Sequence, residues 1–266
     1  MDVQQELTKY ISKALGNDLP QKTEFKTRFH LLDTIVSILT GRLLPPGKKA
    51  FQFSKAQGGV KESTLLGSDV KVSAINAGFS NGMAAHANET DDSTTEGRFH
   101  PGCAIVPATL AVAEREKLGS EEIIKAIALG YDIGVRITTS LGYKTPKTSI
   151  FATHSIGPIF GCAASAGALL KLTHEQCNYL LSYTVQQTSG LACWNRDPDH
   201  IEKAFVFSGM TTRNAIYSAL LAKENFTSVT DPLLGERGFH EGFAHNPNPK
   251  LIIEKLGENF KIDTAS

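Results

Sequence analysis

Apolar residues in the first part of the chain recur at the spacing of a helix. They stand three or four residues apart, and Gly41 then supplies a natural C-terminal stop. These residues are Phe25, Phe29, Leu32, Ile35, Val36 and Leu39. The pattern predicts a helix with one apolar face.

Further helices are predicted by small-residue runs and by capping residues. One runs from about Val70 to His86 and is rich in alanine and glycine, which lets neighbouring helices approach closely. Another starts near Pro101 and ends at Gly119. Ser120 is then placed to cap the next helix, with two glutamates in the first turn.

Two more helix starts are marked by side chains that satisfy free backbone N–H groups. Thr173 with Gln176 forms a capping box. Asp197-Pro198 predicts an N-cap followed by a first-turn proline, opening a helix that contains Lys203. Strand signals are sparse, and Ser63-Thr-Leu-Leu-Gly67 is the best short extended piece. The whole pattern predicts an all-α fold of nine to twelve helices.

The composition is that of a globular protein with a substantial core: 266 residues, 41% apolar and 20% charged. Lys plus Arg and Asp plus Glu both number 27, so the formal net charge is zero, which argues against a nucleic-acid or membrane-surface binder. No apolar run spans a bilayer, and the polar start of the chain is unlike a secretory signal. Four widely spaced cysteines form no C-x-x-C pair. We expect a cytoplasmic protein.

Residues 81–102 concentrate acids and imidazoles between two predicted helices. They include His86, His100, Glu89, Asp91, Asp92 and Glu96. Such groups are costly inside a protein unless they are paired, solvated or used. His100 precedes Pro101 and should lie at a helix N-terminus, where the helix dipole is expected to hold the ring neutral near pH 7. A neutral imidazole can accept a proton from carbon. Alternatively, His100 caps the helix and the acids are solvated loop residues.

A metal site is another interpretation of the same segment. Two imidazoles with carboxylates suit zinc, iron or manganese. Their spacing matches no known ligand signature, and histidine pairs four residues apart are missing. The metal interpretation therefore rests only on the types of residue present and not on their spacing.

Two further segments carry candidate chemistry. His154 stands before a predicted helix, as His100 does, which favours a site shared by the two; a capping or packing role is the alternative. Lys203 lies beside an apolar run, where a desolvated ammonium needs an anionic partner, unless the side chain reaches solvent. Arg213 and Lys144 are further candidate cations.

Taken together, these residues resemble the signature of the MmgE/PrpD family, which includes 2-methylcitrate dehydratase, cis-aconitate decarboxylase and iminodisuccinate epimerase. The likeness runs from about residue 23 to residue 260. The segments that carry it are Asn81-Gly-Met-Ala-Ala-His86, Asp91-Asp92-Ser93, His100-Pro-Gly, Leu32-Asp33-Thr34, His154 with Phe160-Gly-Cys-Ala-Ala-Ser-Ala, and Lys203 with Gly209 and Arg213-Asn214.

The resemblance implies an all-α domain that carries most of an active site and uses no metal and no organic cofactor. Carried over by motif position, His100, His154 and Lys203 fall on the family's active-site histidines and lysine. Glu89 falls on a usual aspartate, which is one methylene shorter. Ser93 falls where many members have threonine and some have serine.

The resemblance also bears on domains and partners. In the family a smaller α+β lid domain normally follows, and the sequence stops before the junction that leads into it. Residues 1–266 are thus expected to form a single helical N-terminal domain lacking the lid. Members commonly dimerise through the helical domain, so a homodimer is expected.

The expected substrate is a small di- or tricarboxylate that reacts at a carbon next to a carboxylate. A neutral imidazole, His100 or His154, is the candidate base or acid, and Lys203, Glu89 and Asp91 complete the catalytic set. Substrate binding is assigned to Asp92, Ser93, His86, Arg213 and Lys144.

We expect a dehydratase-type lyase acting on a methylcitrate-like tricarboxylate. The alternatives are epimerisation of a dicarboxylate such as iminodisuccinate, decarboxylation of the cis-aconitate type, and a non-catalytic remnant or subunit that lacks its lid.

Overall fold

Helices account for most of the structure, a computed structural model that describes residues 2–143 and 150–266. One short β-hairpin accompanies them in the described residues, and the expected all-α fold is confirmed. In this described part, no helix is both long enough and apolar enough to cross a membrane.

The α-helices are α1 (Val3–Lys13), α2 (Gln21–Gly41), α3 (Pro45–Gln57), α4 (Ala74–Ala85), α5 (Gly102–Glu116), α6 (Ser120–Ser140), α7 (Thr153–Leu169), α8 (His174–Gln187), α9 (Ile201–Ala204), α10 (Met210–Lys223), α11 (Phe239–Phe243) and α12 (Lys250–Ile253). Short 3-10 turns are Ala14–Gly16, Ala192–Arg196 and Lys261–Thr264, and a π-helical turn, Phe205–Gly209, joins α9 to α10.

The hairpin replaces the first turn of one predicted helix. Strand β1 (Ser63–Thr64) pairs antiparallel with β2 (Lys71–Val72), so the helix expected from Val70 begins only at Ala74. Ser73 caps that helix by accepting the backbone N–H three residues on, at 3.3 Å. The cap itself has extended backbone, which allows the residues just before it to pair as a strand.

The predicted helix caps have mixed outcomes. Thr173 and Gln176 form the capping box of α8, which confirms that prediction. The prediction for Ser120 is wrong. Gly119 occupies the cap position, and its backbone N–H donates to the Glu122 carboxylate at 3.2 Å, so Ser120 is the first helical residue.

The helix that contains Lys203 starts later than predicted. It begins at Ile201, and His200 rather than Asp197 precedes it, in the left-handed backbone region with φ 58°. Asp197 instead accepts the backbone N–H of Lys203 at 2.9 Å. The start of α9 is thus tied to the preceding loop by a side chain six residues away.

Two long helices, α6 and α7, cross at the centre of the fold with their backbones in contact. A Cβ atom on Gly161 would lie 2.6 Å from the carbonyl oxygen of Gly130, so a larger residue there requires a backbone shift. Across the same pair, Ser165 Oγ donates to the carbonyl oxygen of Ala126 at 2.7 Å. The glycine and alanine run after His154 therefore packs one helix directly on another, as the sequence predicts.

A buried carboxylate, Asp92, connects this centre to α2 and α5. Its Oδ2 accepts the hydroxyl of Tyr131 in α6 at 2.6 Å and lies 2.8 Å from Nδ1 of His30 in α2. Its Oδ1 accepts the backbone N–H of Gly102, the first residue of α5, at 2.8 Å. One side chain thus fixes three helices relative to one another.

We expect Asp92→Ala to lower the free energy of unfolding by about 3 kcal/mol, because it leaves several buried donors without an acceptor. Urea unfolding followed by circular dichroism measures the change. Asp69→Ala, at an exposed aspartate of the hairpin turn, should change the same quantity by less than about 0.5 kcal/mol. Equal effects of the two substitutions would contradict this role for Asp92.

Candidate functional site

The acid loop (residues 86–101) runs from the end of α4 to the start of α5 and is held by backbone hydrogen bonds. The N–H of Thr94 donates to the carbonyl oxygen of Phe99 at 2.9 Å. Ser93 exchanges two backbone hydrogen bonds with Ser266, at 2.7 and 3.0 Å. With the loop held in this way, the neighbouring carboxylates of Asp91 and Asp92 contact different partners.

Asp91 joins two of the histidines of the loop. Nδ1 of His86 lies 3.0 Å from both carboxylate oxygens, and Nδ1 of His100 lies 3.3 Å from Oδ2. Burial alone would raise the pKa of the Asp91 carboxyl, but the hydrogen bonds from His100 and His86 hold that pKa well below its usual range. Asp91 is therefore an ionised carboxylate that orients two imidazoles.

One aromatic ring, Phe207, brings the predicted site residues together. The His154 ring stacks on it with centroids 4.2 Å apart, and the His86 ring at 4.3 Å. His100 lies 5.8 Å from the same ring, and Nζ of Lys203 lies 5.3 Å from its centroid. Residues far apart along the chain thus converge on Phe207, which lies in the π-helical turn. Such turns frequently occur at functional sites.

His100 and His154 face each other with ring centroids 6.0 Å apart and planes 27° apart. Trp194 closes the other side of His154, with ring centroids 5.5 Å apart, and packs edge-on against Phe207. The two imidazoles are therefore close enough for one small molecule to contact both.

The pKa of His154 is lowered. Burial, with smaller contributions from the positive charges of His100, His86 and Lys203, lowers it to about 3. Burial also lowers the pKa of His86, although Asp91 opposes the shift. His154 is therefore neutral at pH 7 and available to accept a proton.

The pKa of His100 moves in the opposite direction. Burial alone would lower it, but the Asp91 carboxylate outweighs burial and raises the pKa above its ordinary value. This direction is opposite to the one expected from the helix N-terminus, because the full charge of Asp91 outweighs the partial charge of a helix end.

The ammonium group of Lys203 lies against the acid loop. Its Nζ donates to the carboxylate of Glu89, which lowers the pKa of the Glu89 carboxyl, and lies 5.5 Å from the Trp194 ring. The predicted need of this lysine for an anionic partner is met by Glu89.

The other sequence candidates do not all lie with these residues. Asp92 is predicted to bind substrate, but both of its carboxylate oxygens contact residues of helices α2, α5 and α6. Its observed contacts therefore hold these helices together. Arg213 is exposed on α10, where it bonds to Asn214 and lies over the Phe205 ring. Ser93 is half-buried and contributes backbone contacts to Ser266. Lys144 lies outside the described residues.

Three residues near the site were not identified from the sequence: His200, Trp194 and Phe207. His200 Nδ1 lies 3.1 Å from Oε1 of Glu89. Helical spacing does not relate His200 to Lys203, because His200 precedes α9 in the left-handed backbone region. The sequence likewise carries no signal for Phe207, because apolar runs usually form core.

Among the residues that the structure describes, two groups of side chains bring possible metal ligands within 4.8 Å of one another: His86 with Asp91 and Cys103, and His86 with Glu89 and His200. Burial raises the pKa of the Cys103 thiol well above its usual value, so it stays protonated. In the second group the Lys203 ammonium already contacts the Glu89 carboxylate, and its charge repels a cation. Neither group suits a divalent metal.

Comparisons with known proteins identify relatives of this chain. The human (Homo sapiens) cis-aconitate decarboxylase is 26% identical over 241 residues, covering 88% of this chain and 48% of the relative. The Aspergillus terreus cis-aconitate decarboxylase is 23% identical, covering 85% and 47%, and the Mus musculus protein is 25% identical, covering 76% and 42%. The chain spans about half the length of these relatives.

The family model described as the MmgE/PrpD N-terminal domain matches residues 5–252, nearly the whole chain. That extent covers the acid loop, the two facing histidines and Lys203. The chain therefore belongs to the MmgE/PrpD family.

Proposed function

We propose that this protein is a lyase acting on a small di- or tricarboxylate by proton transfer through His100 and His154. The observation that carries the proposal is the pair of facing imidazoles whose pKa values are shifted in opposite directions. Opposite shifts of two neighbouring groups separate an acid from a base. His154 is the base and His100, which keeps its proton to higher pH, is the acid.

The same pair serves three reactions, which differ in the bond that breaks. In dehydration, His154 takes a proton from the carbon beside a carboxylate and His100 protonates the departing hydroxyl, which leaves as water. In epimerisation, His100 returns a proton to the opposite face of that carbon. In decarboxylation, the bond to a carboxylate carbon breaks, carbon dioxide leaves, and His100 supplies the proton that the remaining carbon framework takes up.

The names of the relatives favour decarboxylation of cis-aconitate as the first reaction to test. Dehydration of a methylcitrate-like acid remains the prediction from the sequence, with epimerisation as its rival. All three substrates are polyanions, and Lys203 provides a cation beside the acid and base. Homodimerisation and a cytoplasmic location stay predictions.

Three incubations with purified protein distinguish these reactions. We expect cis-aconitate to release carbon dioxide, a methylcitrate-like acid to gain alkene absorbance if it is dehydrated, and iminodisuccinate in deuterium oxide to exchange its proton if it is epimerised. Failure to turn over any of the three would favour the non-catalytic alternative.

We expect His154→Gln and His100→Gln each to lower kcat about a hundredfold or more, because each removes a positioned proton carrier. Steady-state kinetics on the substrate that reacts measures the loss. His245→Gln, at an exposed histidine, is the matched control and should retain wild-type kcat. A loss below fivefold in either site variant, with the fold intact, would remove that residue from the mechanism.

The pH profile reports the role of Asp91. Because His100 acts in its protonated form, activity should be lost as pH rises through its pKa, which Asp91 holds above 6.5. Asp91→Asn removes the carboxylate, lowers this pKa and should move the alkaline limb of log kcat/KM to lower pH. The profile is measured from pH 5 to 10, with near-ultraviolet circular dichroism to confirm folding. An alkaline limb that does not move would show that another group donates the proton.

A further inference from the structure

Glu89 places its carboxylate between two nitrogen donors at the outer side of the site. Nζ of Lys203 donates to Oε1, and Nδ1 of His200 lies 3.1 Å from the same oxygen. The other ring nitrogen of His200, Nε2, lies 2.9 Å from the carbonyl oxygen of His86. Three side chains and one carbonyl thus form a small polar cluster beside the aromatic ring of Phe207.

The surroundings of His200 offer hydrogen-bond acceptors to both of its ring nitrogens. Nε2 lies against a carbonyl oxygen and Nδ1 lies against the Glu89 carboxylate, and both of these groups only accept hydrogen bonds. Lys203 and His200 therefore both present nitrogen donors to a carboxylate at the position of Glu89.

Backbone strain and exposure indicate that this contact can open. Glu89 and His200 both have left-handed backbone, with φ 54° and 58°, and residues held in this region cluster at ligand-binding sites. The side chain of Glu89 is 50% exposed, whereas those of His200 and Lys203 are 26% and 20% exposed. Glu89 can therefore swing into solvent while both donors stay in place.

We propose that His200 and Lys203 form a subsite for one carboxylate of the substrate, and that the side chain of Glu89 occupies this subsite until substrate replaces it. The ligand class is the group already seated there. A carboxylate bound on Lys203 would lie beside Phe207 and therefore near His154, which stacks on the same ring. The assignment of the ligand as a substrate rests on the proposed function.

Calorimetric binding of tricarballylate tests the subsite without turnover, since this saturated tricarboxylate has neither an alkene nor a hydroxyl to react. We expect Glu89→Gln to bind about fivefold more tightly than wild type, because a competing carboxylate is gone. We expect His200→Asn, which tolerates left-handed backbone, to bind about tenfold more weakly because a charge-assisted hydrogen bond is lost. Glu96→Gln, in the same loop but paired with Lys261, is the control and should stay within about twofold.

Two results would overturn the subsite: weaker binding by Glu89→Gln, or unchanged binding by His200→Asn when circular dichroism shows that it is folded. Undetectable binding by both wild type and Glu89→Gln would also overturn it. The expected binding changes without turnover of any substrate would overturn only the proposed function.

Discussion

Two neighbouring carboxylates, both buried, are the constraint on which the site depends. A carboxyl group inside a protein needs hydrogen-bonding partners, and Asp91 and Asp92 have different ones. Asp92 has partners in three helices, α2, α5 and α6, and fixes their relative positions. Asp91 takes its partners from two imidazoles and so sets their orientation and charge. The loop can adopt this shape only because each acid has its own set of partners.

The aromatic ring of Phe207 supplies the second half of the arrangement. It gives the histidines an apolar surface to stack on, and that burial lowers the pKa of His154. His100 lies farther from the ring and within reach of Asp91, which raises its pKa. Two identical side chains thus differ in pKa, because burial dominates the shift of His154 and the Asp91 carboxylate dominates that of His100.

The site has a buried inner layer and a more exposed outer layer. The inner layer consists of Asp91, His86 and Phe207, which are buried. The outer layer consists of Glu89, His200 and Lys203, in which the most exposed member carries the negative charge. For the polyanionic substrate that we propose, this order is suitable, since the protein's own carboxylate is the most exposed of the three groups.

The sequence by itself determined the helical class and the position of the acid loop, since periodicity and local composition are read along the chain. Its resemblance to the family implied the candidate set of His100, His154, Lys203 and Glu89. Tertiary structure alone decided that α2 turns its apolar face outwards, because helical spacing defines a stripe but does not say what covers it. It also decided the direction of the His100 pKa shift, because that direction depends on the distance to Asp91 in space. His200 entered the site for the same reason: its contacts with His86 and Glu89 join residues more than a hundred positions apart, which no local pattern records.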